Sequence, residues 1–293
     1  MVMACSICKS TGTHDSILIK DYEYNTKHIT QYYVCSNCDG IYRNKILNYN
    51  IEKSLYDKKS YKPVKGGIIY DLLKNINSYY EKIFILKYLK KYKIKNPTKI
   101  IDMACGKGYL IGKLAKNLNF KCFGIDINVD TENNTNNINF IQSSYTNLDF
   151  IKNIKPNLII INNFIEHMED HSFINNILDV MENKSLLIII TPNTNTNGKK
   201  YFKDCWSGFH APRHKVIFNE RNIQNILKSK NNYQTEIRFL YDPFTNLIST
   251  INLFKKLKND LSFITLIKIL ICPFILFLDL INKNRIMMVI RKK

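Results

Sequence analysis

Short apolar runs alternate with amphipathic stretches along most of the chain after residue 70. The runs that we interpret as strands are 99–102, 120–125, 139–142, 158–161, 186–190 and 286–290. Uninterrupted runs such as 158–161 are typical of parallel strands that are buried on both faces of a sheet. The helical periodicity between the runs therefore predicts an α/β fold.

Amphipathic stretches predict helices beside this sheet. Apolar residues at helical spacing between 70 and 92, with lysines opposite, predict one long helix packed on the edge of the sheet. Residues 173–181 predict a second helix by the same pattern. A third is predicted by four apolar residues on one face: Leu110, Ile111, Leu114 and Leu118. Residues 128–139 are almost all polar, so we expect a loop or a short frayed helix there.

A loop of small residues joins the first strand of this sheet to the helix that follows. It reads Asp102-Met103-Ala104-Cys105-Gly106-Lys107-Gly108, and small residues let a ligand approach the backbone closely. The next helix presents unpaired N–H groups to such a ligand. Asp126 ends the second strand, 24 positions after Asp102, where an acid usually accepts the hydroxyl pair of a ribose. The spacing does not fit the G-x-G-x-x-G pattern of dinucleotide binders well.

Polar residues also follow two later strands. Asn163, Glu166 and His167 come after the fourth strand, and Asn193 follows the fifth. In open α/β sheets the ligand lies outside the carboxyl ends of the strands, so these residues are predicted near the small-residue loop. Histidine is suited to accept a proton near neutral pH.

Two Cys-x-x-Cys pairs near the start of the chain predict a metal site. Cys5 and Cys8 are separated from Cys35 and Cys38 by 26 residues, and two such pairs complete a tetrahedral set. Four thiolates leave no open coordination position, so we predict a structural zinc ion. A small iron–sulfur or redox site is the alternative. The spacing favours metal binding in a reducing, cytoplasmic compartment over disulfides.

The sequence divides into three predicted parts. A zinc ribbon with short strands at 17–19 and 32–34 occupies residues 1–48. A linker and the long amphipathic helix occupy residues 49–95. The main domain occupies residues 96–293, with an insertion at 193–217 and an apolar helical segment at 253–282.

The net charge changes this picture little. A formal charge of +19 would suit nucleic acid or an anionic membrane. However, the lysines are scattered through most segments, which favours a solvated basic surface. Residues 1–10 hold no apolar stretch long enough for a signal peptide.

Several motifs carry a resemblance to a known family. The loop pattern D-x-A-x-G-x-G resembles the first motif of the class I S-adenosylmethionine-dependent methyltransferases, D-x-G-x-G-x-G, with Ala104 at the first glycine position. A methyl group is tolerable there if φ is negative. Ile165-Glu166-His167, Thr191-Pro192-Asn193 and Trp206 with Pro212-Arg213-His214 are similar to one large subfamily, which often carries N-terminal Cys-x-x-Cys pairs. That subfamily methylates sugars, surface glycans or small metabolites and includes ubiquinone-pathway O-methyltransferases.

The resemblance implies a fold and a cofactor site. The fold is a Rossmann-like, seven-stranded, mostly parallel sheet whose last strand, here 286–290, is antiparallel. Ser144 and Tyr145 occupy the place after the third strand where members commonly carry an acid near the adenine. The residues implied to bind S-adenosylmethionine are Asp102, Ala104, Cys105, Gly106, Gly108, Asp126, Ile127, Ser144, Tyr145 and Asn163.

The resemblance also implies a reaction, methyl transfer to an oxygen of a sugar, glycan or small metabolite. His214 and His167 are the candidates for the base that takes the proton of the acceptor, with His210 as a lesser candidate. Glu166 is the candidate orienting residue or divalent-metal ligand. The alternatives are a ribosomal-RNA base methyltransferase and a catalytically silent zinc-ribbon scaffold, which Ala104 and the missing acid at position 144 allow. Nucleic acid is not the favoured partner, because no aromatic-plus-basic motif accompanies the charge.

Residues 261–278 are very apolar and only marginally long enough for a membrane span. If 286–290 is the last strand of the sheet, this segment must return to the side on which it began. A proline-broken pair of helices over the active-site edge is therefore the favoured interpretation. Its apolar surface is a candidate for peripheral contact with the inner membrane face or with a lipid-linked acceptor.

Overall fold

The structure, a computed structural model, describes most of the chain. The described residues are 4–12, 14–24, 28–43, 52, 54–56, 67–94, 98–129, 131–227, 231–257 and 284–293. The predicted helical pair at 261–278 lies outside the described residues. None of the described helices is long and apolar enough to cross a membrane.

The strands and helices follow the predicted alternation. The strands are β1 (His14–Lys20), β2 (Ile29–Cys35), β3 (Ile41–Arg43), β4 (Thr98–Met103), β5 (Phe120–Asp126), β6 (Ile138–Gln142), β7 (Leu158–Asn162), β8 (Leu186–Pro192), β9 (Val216–Ile217), β10 (Tyr233–Leu240) and β11 (Arg285–Lys292). The α-helices are α1 (Ile68–Lys91), α2 (Tyr109–Leu114), α3 (Asp149–Ile154), α4 (Ser172–Val180), α5 (Asn197–Phe202) and α6 (Pro243–Leu257). Single 3₁₀ turns lie at Thr131–Asn133, Ile165–His167, Lys203–Cys205, Ser207–Phe209 and Ile223–Ile226.

Seven strands form the main sheet in the order β10-β11-β8-β7-β4-β5-β6. Strands β4 to β8 pair in parallel, whereas β11 is antiparallel to both β8 and β10. The predicted Rossmann-like fold, with its antiparallel last strand, is therefore confirmed. The carboxyl ends of β4, β5, β7 and β8 meet at one edge, and the residues that follow these strands line it.

The central strands are buried on both faces because helices cover each side of the sheet. Along β7, Ile159 and Ile161 pack into one core cluster, while Leu158 and Ile160 pack into the other. Strand β8 alternates in the same way. The near-continuous apolar runs in the sequence are explained by this double burial.

The helix after β4 is shorter than predicted. It ends at Leu114, and Leu118 beyond it is 85% exposed, so the expectation that Leu118 shares the apolar face was wrong. The long helix α1 is confirmed, but only its second half packs on the sheet, through residues such as Ile85 and Leu89. The polar segment after β5 holds one 3₁₀ turn, in line with the predicted frayed helix.

A second, four-stranded sheet has the order β1-β2-β3-β9. Strands β1 to β3 come from the cysteine-containing N-terminal part, and β9 comes from the segment after β8, with Ile41 opposite Ile217. The N-terminal part and the predicted insertion at 193–217 therefore share one sheet. The predicted domain limits, 1–48, 49–95 and 96–293, stay predictions.

Candidate active site

The loop after β4 runs through left-handed backbone conformations. Ala104, Gly106 and Gly108 have φ values of 55°, 55° and 72°. The condition for tolerating a methyl group at Ala104, a negative φ, is therefore not met, and an alanine occupies a conformation that glycine adopts without strain. A Cβ on Gly108 would lie 2.7 Å from the ring of Phe140, so this glycine is also required by packing. The loop turns its backbone toward the carboxyl edge of the sheet.

Asp126 connects this loop to the end of β5 by hydrogen bonds. Its Oδ2 accepts a hydrogen bond from the N–H of Gly106, and its Oδ1 accepts one from the N–H of Asn128, both at 2.9 Å. A carboxylate oxygen has two lone pairs, so each can still accept a ligand hydroxyl. The N–H of Cys105 donates to the carbonyl of Ile125 at 3.1 Å and closes the turn.

Asp102 lies at the base of the same loop and is only 2% exposed. Its Oδ1 has no hydrogen-bond partner within the part of the chain that the structure describes. Burial, followed by the nearby charges of Glu81 and Asp126, raises the pKa of this carboxyl group well above its usual range. A buried carboxyl oxygen without a partner is costly, and such an atom beside an open loop is suited to receive a donor from a ligand.

The other predicted cofactor residues follow the ends of β5, β6 and β7. Ile127 lies directly after Asp126, and its side chain is 60% exposed. The ring of Tyr145 packs edge-on against Phe164 and Phe173, with ring centroids 5.2 Å apart in each pair. Ser144 bonds to Thr146, and the backbone N–H of Asn163 donates to Ile190.

A second group of polar residues lies after β7 and β8. Glu166 is fully buried, and its Oε2 accepts a hydrogen bond from Thr191 at 2.9 Å. Its Oε1 lies 3.9 Å from Nε2 of His214 and has no hydrogen-bond partner among the described residues. Burial raises the pKa of Glu166 to about 7, so this carboxyl group titrates near neutrality.

The two predicted catalytic histidines lie next to this glutamate. The rings of His167 and His214 meet edge to face, with centroids 4.8 Å apart. Nδ1 of His214 donates to the carbonyl of Gly208 at 2.9 Å, and Nδ1 of His167 donates to the carbonyl of Arg213 at 3.2 Å. A carbonyl only accepts, so the proton of each neutral ring is fixed on Nδ1 and the lone pair on Nε2. Burial lowers the pKa of His167 to about 3 and that of His214 well below its usual range.

The segment after β8 holds His214 through tight packing. The ring of Trp206 is buried, and a Cβ on Gly208 would lie 2.1 Å from it. Gly208 is therefore the residue that lets the chain pass over Trp206 and direct its carbonyl at His214. His210 lies beside the cluster, 5.0 Å from His214 between ring centroids, with its Nδ1 2.9 Å from the carboxylate of Glu23.

The N-terminal part also reaches this segment. Tyr32 of β2 is fully buried and donates its hydroxyl to the carbonyl of His214 at 2.8 Å. Arg43 of β3 donates to the carbonyl of Pro212 at 2.7 Å. These residues were missed by sequence reasoning, because side chains that contact a site only through the backbone of a distant segment leave no local pattern. Tyr56 was also missed, because its hydroxyl, 3.3 Å from Nδ1 of His167, comes from 111 positions away in the sequence.

A buried ion pair lies between the two groups. Glu81 of α1 pairs with Arg285 of β11, and both are almost fully buried. Glu81 lies close enough to raise the pKa of Asp102, and Arg285 acts on Glu166 in the opposite direction. The loop of Asp102 and the cluster of Glu166 thus belong to one continuous polar edge.

The four N-terminal cysteines converge as predicted. The sulfur atoms of Cys5 and Cys38 are 3.9 Å apart, those of Cys8 and Cys35 are 3.7 Å apart, and all four lie within 4.8 Å of one another. Sulfurs bound tetrahedrally to one zinc ion lie about 3.8 Å apart, given Zn–S bonds of about 2.3 Å. Each pair is shaped as a tight turn, since the N–H groups of Lys9 and Asp39 donate to the carbonyls of Cys5 and Cys35. The geometry fits a tetrahedral four-thiolate site.

Comparison with solved structures finds similar folds at low identity. A coclaurine N-methyltransferase bound to N-methylheliamine and SAH is 15% identical, with TM-score 0.45 and 72% of each chain covered. The plantazolicin methyltransferase BpumL, bound to a pentazolic analogue and SAH, is 17% identical, with TM-score 0.45 and 83% and 90% covered. A SAM-dependent methyltransferase from Archaeoglobus fulgidus is 18% identical, with TM-score 0.46 and 73% and 94% covered.

Comparison at the level of sequence gives a family. No curated protein matches this chain significantly. The protein-family model described as "Methyltransferase domain" matches residues 76–236, which is more than half of the chain and spans the loop of Asp102, the cluster of Glu166 and the segment that carries His214. The predicted resemblance is thus confirmed at this level, while the narrower subfamily stays a prediction. The chain belongs to the methyltransferase domain family.

Proposed function

We propose that this protein transfers the methyl group of S-adenosylmethionine to an oxygen atom of a sugar, a surface glycan or a small metabolite. The single observation that carries the proposal is the joint presence, at one edge of the sheet, of a nucleoside-type loop and a buried histidine–glutamate cluster. Membership of the methyltransferase family gives the reaction class. The cluster gives the reason to favour an acceptor that must lose a proton.

The residues around the loop fit the cofactor. Asp126 offers carboxylate oxygens to the ribose hydroxyls, and the exposed side chain of Ile127 offers an apolar surface to a purine ring. Tyr145, held by two neighbouring aromatic rings, and Ser144 would flank the same ring. Asp102, with its unpartnered oxygen, would receive a donor from the methionine part of the cofactor. Bound S-adenosylmethionine would supply an electrophilic methyl group on a sulfonium.

Glu166 and His214 would act together on the acceptor. The lone pair on Nε2 of His214 is available because the proton of the neutral ring is fixed on Nδ1 by Gly208. Burial makes a lone imidazolium unfavourable at this position, but a carboxylate 3.9 Å away would stabilise it as the proton arrives. His214 would therefore accept the proton, Glu166 would stabilise the positive charge on the protonated ring, and His167 would orient the acceptor. General-base catalysis of this kind contributes about 10²–10⁴-fold in rate.

The four-cysteine cluster would hold a structural zinc ion. Cys5, Cys8, Cys35 and Cys38 fill a tetrahedral site, so the ion would stabilise the N-terminal sheet and take no part in the reaction. A reducing, cytoplasmic location follows from this use of thiolates. The proposed contact of 261–278 with a membrane or a lipid-linked acceptor rests on the sequence alone.

Label transfer tests the proposed function. The purified protein is incubated with methyl-labelled S-adenosylmethionine and, in separate reactions, with glycan, lipid, small-metabolite and RNA fractions of a cell extract. We expect label in a glycan or small-metabolite product, and mass spectrometry should find a new O-methyl group. Label only in RNA would replace the proposal with the nucleic-acid alternative, and no label in any fraction would favour the scaffold alternative.

A further inference from the structure

Glu166, His167 and His214 bring three potential metal-ligand atoms together outside the cysteine cluster. One ligand-type atom from each side chain lies within 4.8 Å of the others. Within the described part of the chain, this group and the four cysteines are the two places where three or more such residues converge. Two imidazoles and one carboxylate are a set that binds zinc or ferrous iron in proteins, with coordination positions left open.

The imidazoles are oriented as metal-binding histidines are. A histidine that binds a metal through one nitrogen almost always donates its other N–H to a carbonyl or a carboxylate. His214 donates Nδ1–H to Gly208, and His167 donates Nδ1–H to Arg213. Both rings thus keep a fixed lone pair on Nε2, and in His214 this atom faces Glu166.

One carboxylate oxygen of Glu166 has no hydrogen-bond donor among the described residues. Its side chain is fully buried, one oxygen is held by Thr191, and the other oxygen, Oε1, has no hydrogen-bond partner among the described residues. An unpaired buried carboxylate oxygen is unfavourable unless a proton or a cation satisfies it. The Thr191 hydrogen bond also leaves Oε1 oriented toward the histidines, as hydrogen bonds to a metal-binding carboxylate do.

We propose that Glu166, His167 and His214 bind one divalent transition-metal ion, of the class of Zn²⁺ or Fe²⁺, at the carboxyl edge of the sheet. Ligand atoms on one such ion lie about 3.4 Å apart, given bonds of about 2.0–2.2 Å. Oε1 of Glu166 and Nε2 of His214, now 3.9 Å apart, would therefore close by about 0.5 Å. The three ligand atoms lie within 4.8 Å of one another, so the widest pair would close by up to about 1.4 Å as the side chains rotate.

The ion would activate the acceptor in the proposed methyl transfer. Three protein ligands leave at least one position for an acceptor oxygen, and a hydroxyl bound to a divalent ion loses its proton more easily than a free one. His214 would then act as a ligand, and the proton would leave to water. This use of the ion rests on the proposed methyl transfer, whereas the binding of the ion does not.

Zinc content tests the proposal without cofactor or acceptor, so its failure is distinguishable from failure of the methyl-transfer proposal. The full-length protein is dialysed against excess Zn²⁺, freed of unbound ion, and its zinc is counted by mass spectrometry. Glu166→Gln keeps an acceptor for Thr191 but places an N–H₂ group at the histidines. His214→Asn keeps a donor to Gly208 but removes the ligand nitrogen. We expect each variant to bind one zinc ion fewer per chain than the parent protein.

His28→Gln is the matched control, because His28 lies outside the cluster, and it should bind as much zinc as the parent. Equal zinc in the parent and in a folded Glu166→Gln or His214→Asn variant overturns the proposal.

If neither variant folds, Co²⁺ titration of the parent protein decides. Binding of a second equivalent of Co²⁺ that adds visible bands without further thiolate charge-transfer absorption supports the site. Saturation after the thiolate-type bands alone overturns the proposal.

Discussion

Nε2 of His214 lies 3.9 Å from Oε1 of Glu166, although 48 residues separate them in the sequence. The glutamate follows β7, and the histidine ends the segment that crosses from β8 to β9. The distance is too long for a direct hydrogen bond, so neither atom satisfies the other, and an acceptor hydroxyl or a metal ion between them would contact both. The geometry of this pair therefore points to an acceptor site.

Loss of the imidazole of His214 should reduce turnover and spare cofactor binding. His214→Ala removes the atom that would accept the proton, and we expect kcat on the true acceptor to fall by about 10²–10⁴-fold. The dissociation constant for S-adenosylmethionine should stay within about twofold of the parent value, because the ring lies in the proposed acceptor site and not in the loop of Asp102. Unchanged turnover would exclude His214 from the role, and His28→Gln serves as the unaffected control.

Ala104 should be a strained residue. An alanine in the left-handed region costs about 1–2 kcal/mol, partly offset by the entropy that a glycine adds to the unfolded chain. Ala104→Gly should therefore raise the free energy of unfolding by up to about 1 kcal/mol, measured by denaturant titration. Ala115 has φ −63° and is the matched control, since Ala115→Gly should lower stability by about 0.5–1 kcal/mol. A loss of stability in Ala104→Gly contradicts the observed backbone conformation.

Asp102 should make the stability of the cofactor-free protein depend on pH. Its pKa is raised in the folded state, so the folded protein holds a proton that the unfolded chain has lost, and stability falls as pH rises. Asp102→Asn keeps the neutral form at every pH. We expect the variant to gain stability over the parent as pH rises from 5 toward 8, while its affinity for S-adenosylmethionine falls. The exposed Asp149, changed to Asn, should show neither effect, and a pH-independent difference for Asp102→Asn would contradict the burial argument.

The N-terminal sheet should control the acceptor site through Tyr32. Tyr32→Phe removes the hydrogen bond to the carbonyl of His214 and leaves the ring in the core. We expect a lower kcat, with the affinity for S-adenosylmethionine unchanged. Tyr33→Phe, on the neighbouring position of the same strand, is the control. Removal of metal from the cysteine cluster should lower kcat further. Equal kcat for Tyr32→Phe and the parent would exclude control of the acceptor site by the N-terminal sheet.

Local patterns predicted the fold well, whereas the cofactor role of the loop after β4 stays a prediction. Alternating apolar runs located β4 to β8 and β11, because strands buried on both faces leave continuous apolar segments. The cysteine pairs located the N-terminal cluster, since the ligand spacing is itself the signal. The length of α2 was overestimated, because Leu118 continues the helical spacing although the helix ends at Leu114.

The acceptor site was only partly predictable. Glu166 and His167 follow the end of β7, which sequence reasoning can find, and His214 was found through its motif, Pro212-Arg213-His214. The contacts of Tyr32 and Arg43 with that site accompany a pairing of β3 with β9 that no local pattern specifies. Tyr56 contacts His167 from 111 positions away in the sequence. The left-handed φ of Ala104 could not be predicted either, because it is imposed by the tertiary turn between β4 and α2.

Calorimetric titration with S-adenosylmethionine tests the central claim, which is that a sulfonium nucleoside binds between the glycine loop and Asp126. We expect one site per chain for the parent protein and at least a tenfold loss of affinity in Asp126→Ala, because that change removes both the proposed ribose acceptor and the hydrogen bond from Gly106. Saturable binding that is lost in this variant supports the claim. No heat of binding in the folded parent protein, or equal affinity in Asp126→Ala, would contradict it.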